Sequence, residues 1–188
     1  MKDSEKIILG IDPGTNVMGY GVIVVCKTQV VSSQFDVVHF KDKDSTHTLK
    51  LKKIFESVSS LIQKFMPDEM AIEAPFYGKN VQSMLKLGRA QGVAIAVALS
   101  KEIPVFEYAP KKIKLAITGN GNASKEQVAS MLKNMLKFND IPKYLDATDA
   151  LAVAICHHFQ AKQLSRKKKY TDWNSFIKAN QNRVKNSI

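Results

Sequence analysis

The sequence is short of cysteine, short of acid and without a long apolar run. Its two cysteines, Cys26 and Cys156, lie in apolar surroundings. They have no C-x-x-C spacing and no nearby His/Cys set for zinc, which argues against a redox motif and a zinc site. They read as buried free thiols of a reducing compartment. The longest apolar stretch, near Gly92 to Leu99, is far too short to span a bilayer. Met1 opens onto Lys-Asp-Ser-Glu-Lys, which has no signal-peptide pattern. A cytoplasmic protein with no membrane partner is expected. No internal repeat or low-complexity segment interrupts the chain.

The shortage of acid leaves 28 Lys+Arg against 17 Asp+Glu, a formal net charge of +11. That excess points to a polyanionic partner, nucleic acid first and an anionic membrane surface second. The competing reading is a basic protein whose charges only keep it dispersed. Between Leu164 and Ile188 stand Arg166, Lys167, Lys168, Lys169, Lys178, Arg183 and Lys185 against Asp172 alone. We therefore divide the chain into a domain over 1–163 and a basic, flexible tail over 164–188. At 188 residues and 45% hydrophobic content there is material for one well-packed domain.

Ile7–Ile11 is a buried strand, and "GYGVIVV" (Gly19 to Val25) a second. Lys27-Thr28-Gln29 reads as a turn, and Gln34 to Phe40 as a third strand, completing an antiparallel meander. From Thr48 to Phe65 the residues Leu51, Ile54, Phe55, Val58, Leu61, Ile62 and Phe65 recur at helical spacing, and Pro67 closes the helix. "EMAIE" (69–73) is a fourth strand, Asn80 to Ser100 a helix, and "IPVFEY" (103–108) a fifth strand. Helices follow over Lys111 to Ile117, Ser124 to Lys137 and Asp146 to Gln163; Gln127 stands in capping-box position to Ser124. The order predicts an α/β fold: a five-stranded mixed sheet, three antiparallel strands then two parallel, flanked by helices on both faces.

Against the general shortage, four acids sit where a core would not place them. Asp12 ends the first strand, in "GIDPGT". Glu73 ends the fourth, in "AIEAPF". Asp146 and Asp149 open the last helix, in "LDATDALAVAIC". Spacing of i, i+3 puts both aspartates on one helix face. Each acid has an ordinary explanation. Asp12 can bond to amides of the Pro-Gly turn, Asp146 can be an N-cap, Asp149 suits the helix dipole, and Glu73 can be a solvated strand end. If the fourth strand pairs beside the first and the last helix starts over that edge, the four meet. They then repel unless cations neutralise them. Hard oxygens select Mg²⁺ or Mn²⁺, and two such ions can activate water and stabilise the leaving oxygen of a phosphodiester.

"ILGIDPGTNVMGYGVI", "AIEAPFYGKNVQSMLKLGRAQGVAI", "PVFEYAPKKIK" and "DATDALAVAICH" together resemble the RuvC family of Holliday junction resolvases, in order from about Ile7 to His158. The resemblance implies an RNase H-like fold, a homodimer, and nicking of four-way DNA junctions symmetrically on two strands in recombination and repair. It implies work alongside the branch-migration complex RuvA–RuvB. It makes Asp12, Glu73, Asp146 and Asp149 the catalytic acids that hold Mg²⁺, two ions per site. It implies a junction-wedging role for Phe76, where Tyr77 stays open, and phosphate contacts for Lys114 and Lys125. Lys79, Lys86 and Arg89, in or near the second helix, and Lys111 and Lys112 are further cations able to meet phosphate; of these Lys79 and Arg89 are taken as DNA-binding. Their alternative is a solvated face. The small residues of "GRAQGVAIAVALS" suit close packing, and the family adds a two-fold dimer interface there. "GNGNAS" (119–124) is a Gly/Asn turn before a helix start that could bind phosphate or be only a loop; without the resemblance it reads as a loop. His157 is eight residues beyond Asp149, about 12 Å along the axis, too far to share a metal; His157 and His158 are read as structural, and His39 and His47 carry no motif.

Three other readings compete. "GIDPGT" also resembles the first phosphate loop of actin and Hsp70-like ATPases, but one lobe without a second phosphate loop argues against it. An RNase H-like module that binds nucleic acid without cutting is opposed by the full set of acids. A nuclease of the same fold acting on another structured substrate is the third.

Overall fold

The order of elements is β-β-β-α-β-α-β-α-α-α, as expected. The structure, a computed structural model, describes residues 5–40, 46–75 and 80–167 with Ser175 and Ile177. The chain divides into two units, Met1–His158 and Phe159–Ile188; the sheet and the sites below belong to the first.

The strands are β1 (Glu5–Asp12), β2 (Val17–Cys26), β3 (Gln29–His39), β4 (Glu69–Glu73) and β5 (Val105–Tyr108), in the order β3-β2-β1-β4-β5. β3, β2 and β1 are antiparallel, and β4 and β5 run parallel to β1. β3 begins earlier than the sequence suggests. Gln29 is its first residue, and the turn is Lys27 and Thr28 alone, with Lys27 in the left-handed region at φ 58°. The first half of β3 is mostly exposed and polar on an edge, so no apolar alternation marks it. Cys26, at the end of β2, is half-buried rather than buried; Cys156 is fully buried.

The helices are α1 (His47–Phe65), α2 (Val81–Ser100), α3 (Pro110–Thr118), α4 (Lys125–Leu136) and α5 (Leu145–Lys167). Thr46 caps α1, and Met66 in the left-handed region ends it just before Pro67, which disfavours a helical residue in front of it. Asn80 caps α2. Ser124 and Gln127 form the expected capping box of α4, the Gln127 amide donating to Ser124 Oγ at 3.2 Å and the Ser124 amide to Gln127 Oε1 at 2.8 Å.

The helices divide by sheet face, and strand parity says which. Leu9, Ile11, Met18, Val22, Met70 and Ile72 pack with α1 residues Ile54, Val58 and Leu61 and α2 residues Ala90, Ala94 and Val97. Each fully buried Leu, Ile, Val or Met side chain among them contributes about 1.5–3 kcal/mol. Alternate residues of the same strands face α5. From Ala147 to Cys156 every residue of that helix except Asp149 is buried, so its sequence shows almost no amphipathic stripe.

Candidate active site

Asp12 and Glu73 arrive side by side through strand register. In the parallel β1–β4 pair, Ile11 lies opposite Ile72, and both enter the α1/α2 core. One step further, Asp12 and Glu73 end their strands and point to the α5 face.

Glycine delivers the other two acids. Gly10 pairs with Gly21 across β1 and β2, and Asp12 with Gly19. All three glycines lie under α5. A Cβ on Gly19 would overlap the Asp146 carbonyl oxygen, one on Gly10 the Ala150 carbonyl, and one on Gly21 would stand 2.6 Å from Leu151 Cα. The missing side chains let the start of α5 press onto the sheet beside Asp12. Asp146 lies inside the first helical turn, not at the N-cap. Ligand oxygens of Asp12, Asp146 and Asp149 all fall within 4.8 Å of one another. Glu73 is outside that trio but close enough for Asp149 to raise its pKa. Gln91, buried in α2, steadies its strand end, donating to the Glu73 carbonyl at 3.4 Å and to Glu107 Oε2 at 2.7 Å.

A notch of about 70 Å³ opens here, lined by Asp12, Glu73, Lys114, Lys125 and Asp149 among others. Burial, then Glu73 and Asp149, hold the Asp12 carboxyl well above the usual carboxylate range. Burial and Asp149 push Glu73 up to about 7. Burial also raises Asp149, although Lys125 opposes it. Lys125 pairs with Asp149 and stands 3.6 Å from Asp146. Burial works against its charge, but the Asp149 hydrogen bond outweighs it and the pKa is raised. Acids held against ionisation this way are an under-neutralised cluster. Hard oxygens converging with too little positive charge fit a divalent cation such as Mg²⁺.

The remaining expected site residues separate. Lys114 and Lys125 line the notch. Arg89 is exposed and lines a groove with Pro75, Met84 and Leu85 instead. Phe76, Tyr77, Lys79 and almost all of the basic tail lie outside the described residues. His157 is structural, as expected. Its Nδ1 meets Tyr108 Oη at 2.7 Å and its Nε2 meets Glu69 Oε2 at 2.5 Å, with Lys6 2.6 Å from Glu69 Oε1. The sequence reading missed Gln91, although a lone amide among the alanines of a buried helix face was a signal. It also missed the glycine lane, readable as Gly10, Gly19 and Gly21 in two adjacent strands.

A β1–β4 pair ending in two acids, with two more on a helix laid over it, is the layout of an RNase H-like nuclease core. A family model described as crossover junction endodeoxyribonuclease RuvC matches residues 8–157. The chain belongs to this family, whose members hydrolyse DNA. It is 62% identical over 184 residues to the RuvC of Cytophaga hutchinsonii, covering 98% of this chain and 90% of that one. It is 58% identical to the RuvC of Bacteroides fragilis, covering 96% and 97%. Among solved structures it is similar to T. thermophilus RuvC in complex with Holliday junction substrate, at 30% identity and a TM-score of 0.77, over 84% of this chain and 96% of that one. The yeast mitochondrial Holliday junction resolvase, at 14% identity and a TM-score of 0.65, shares the fold. Family membership removes the ATPase reading.

Proposed function

We propose that this chain resolves four-way DNA junctions as a Mg²⁺-dependent homodimer, by symmetric paired nicks, in recombination and repair. The observation that carries the reading is the convergence of Asp12, Asp146 and Asp149 from β1 and α5 within 4.8 Å, beside Glu73, in a RuvC-family chain. These four acids hold the metal, with Mn²⁺ able to substitute. Two bound ions would supply an activated water and charge neutralisation at the departing oxygen. Cleavage adds water across one phosphodiester in each of two strands and leaves 5′-phosphate and 3′-hydroxyl ends. Lys125 occupies the acid cluster until metal and DNA bring their own charges, and with Lys114 then meets phosphate oxygens. Phe76, Lys79 and Arg89 are further DNA contacts in this reading, and of these Arg89 lines a groove separate from the notch. Two-fold symmetry of the junction calls for two notches related by a two-fold axis. The family reading adds the RuvA–RuvB complex as partner and the cytoplasm as location.

The test is cleavage of a synthetic junction with Mg²⁺ or EDTA, for wild type and Asp146→Asn. Paired symmetric nicks that require Mg²⁺ and fall on the order of 10³-fold in the variant are expected. Tight junction binding with no cutting in either Mg²⁺ or Mn²⁺ would favour the binding-module reading instead.

A further inference from the structure

A second polar cavity, of about 400 Å³, opens over the same rim of the sheet and has no part in the notch. It is lined by Thr15 and Asn16 of the β1–β2 turn, His47 and Lys50 of α1, and Ser83 and Lys86 of α2. Among the described residues no carboxylate lines it. Both helices begin here, and neither has an acid in its first turn to answer its dipole. Lys50 is held in place by donating to Asn16 Oδ1 at 2.5 Å. His47 Nε2 is shut off from solvent and has no hydrogen-bond partner among the described residues. Burial of the ring, then Arg89, Lys86 and Lys50, lower its pKa below the ordinary 6.5. Cations, hydroxyls and two helix starts around one hollow form a receptor for an anion.

We infer that this cavity, built by Thr15, His47, Lys50, Ser83 and Lys86, seats a backbone phosphate of the DNA strand, a few nucleotides from the phosphodiester that lies in the carboxylate notch. The inference rests on the proposed action on DNA. Its geometry is set by the turn. Thr15 follows Asp12 by three residues, so at most ~11 Å of chain separates cavity from notch. The notch lies on the α5 face and the cavity beside α1 and α2; Pro13 to Asn16 carry the rim between them. A strand crossing that rim passes from one to the other within a few nucleotides. The cavity fixes where the strand sits without reading its bases.

The test uses the full chain in EDTA, which prevents cutting. Lys86→Gln should weaken junction binding ~5-fold and lower the slope of log K against log salt by about one. A junction carrying a neutral methylphosphonate a few nucleotides from the cut should lose the same affinity, with no further loss in Lys86→Gln. Junction DNA should raise the titration midpoint of the His47 ring, read by NMR and assigned with His47→Gln. If Lys86→Gln leaves affinity and slope intact while Lys114→Gln lowers both, the cavity is not a DNA site, yet the nuclease reading stands. If millimolar inorganic phosphate moves His47 as far as DNA does and no methylphosphonate position matters, the cavity is a small-anion site and the inference is overturned. If wild type fails to bind junctions at all, the nuclease reading fails and takes this inference with it.

Discussion

Two polar clusters lie on the same sheet face under the same helix, and they are built on opposite principles. In the notch, Asp12, Glu73 and Asp149 crowd together and their pKa values are all raised. Around His157, Glu69 is held between Lys6 and the imidazole. Burial raises its pKa, but those hydrogen bonds outweigh it and the net shift is down. Tyr108 Oη closes the other side of the ring, and burial pushes its own pKa up to about 12. One cluster is balanced within the chain, and the other is left short of positive charge. Carboxylate count does not separate them; balance of charge does.

The sharpest way to break the comparison is to disturb the notch without touching an acid. Gly19→Ala forces a methyl group into the Asp146 carbonyl. The start of α5 must lift, which should cost about 1–3 kcal/mol of stability. Displacement of two of the four acids should cut junction cleavage on the order of 10²-fold. The His157 cluster lies about three turns further along α5 and should keep its contacts. A Gly19→Ala variant with normal cleavage would mean that the lane of glycines does not position the acids.

The next test exploits the sign of the pKa shifts. Glu73 is raised from 4.5 to about 7 in the folded chain. Between those values the native state holds more protons than the unfolded state, so stability falls as pH rises. The loss should be roughly 3 kcal/mol in EDTA, complete above about pH 7. Glu73→Gln should flatten that slope in urea unfolding, and Mg²⁺ should restore stability to wild type at pH 8. Glu69 has the reverse sign. Its lowered pKa stabilises the fold above 4.5 and ceases to do so as pH falls through the folded value. An unchanged slope in Glu73→Gln would show that the notch is not under-neutralised.

How much of this could be read from the chain depends on the range of the signal. Strand and helix periods are local, so most element boundaries are visible within a few residues. The edge half of β3 is not, because solvent on both sides removes the alternation. The four acids stand at strand and helix ends, where each alone has an ordinary explanation and only the full set points to a site. The His157 network is different. Glu69 and His157 are 88 residues apart, and each alone is an ordinary charged or aromatic residue. Only the β1–β4–β5 order and the path of α5 bring them together. The cavity between α1 and α2 is equally hidden, since Thr15, Lys50 and Lys86 belong to three segments with no shared motif.

Removing the imidazole tests the satisfied cluster. His157→Phe keeps the stack on Phe106, whose ring centroid is 4.3 Å away, but leaves Tyr108 Oη and Glu69 without their partner. Stability should drop by about 1–3 kcal/mol. Thermal unfolding should report it, and cleavage at 25 °C should stay within ~3-fold. A large activity loss with an unchanged Tm would place His157 in the reaction and end the distinction drawn above.

The smallest effect concerns how Lys125 is held. It is the first residue of α4, directly after the capping residue Ser124. Two restraints therefore act on it: the capping box, which fixes the helix start, and its ion pair with Asp149. Ser124→Ala removes the first alone. The cost should be about 1 kcal/mol, a fall of ~2–4 °C in Tm. If the ion pair does the positioning, cleavage should change less than ~3-fold. Lys125→Gln should do the converse, with Tm nearly constant and cleavage down about tenfold. Should Ser124→Ala depress cleavage as deeply as Lys125→Gln, the helix start is what aims the lysine. The boundary between residues that fold the chain and residues that fill the notch would then run through this single turn.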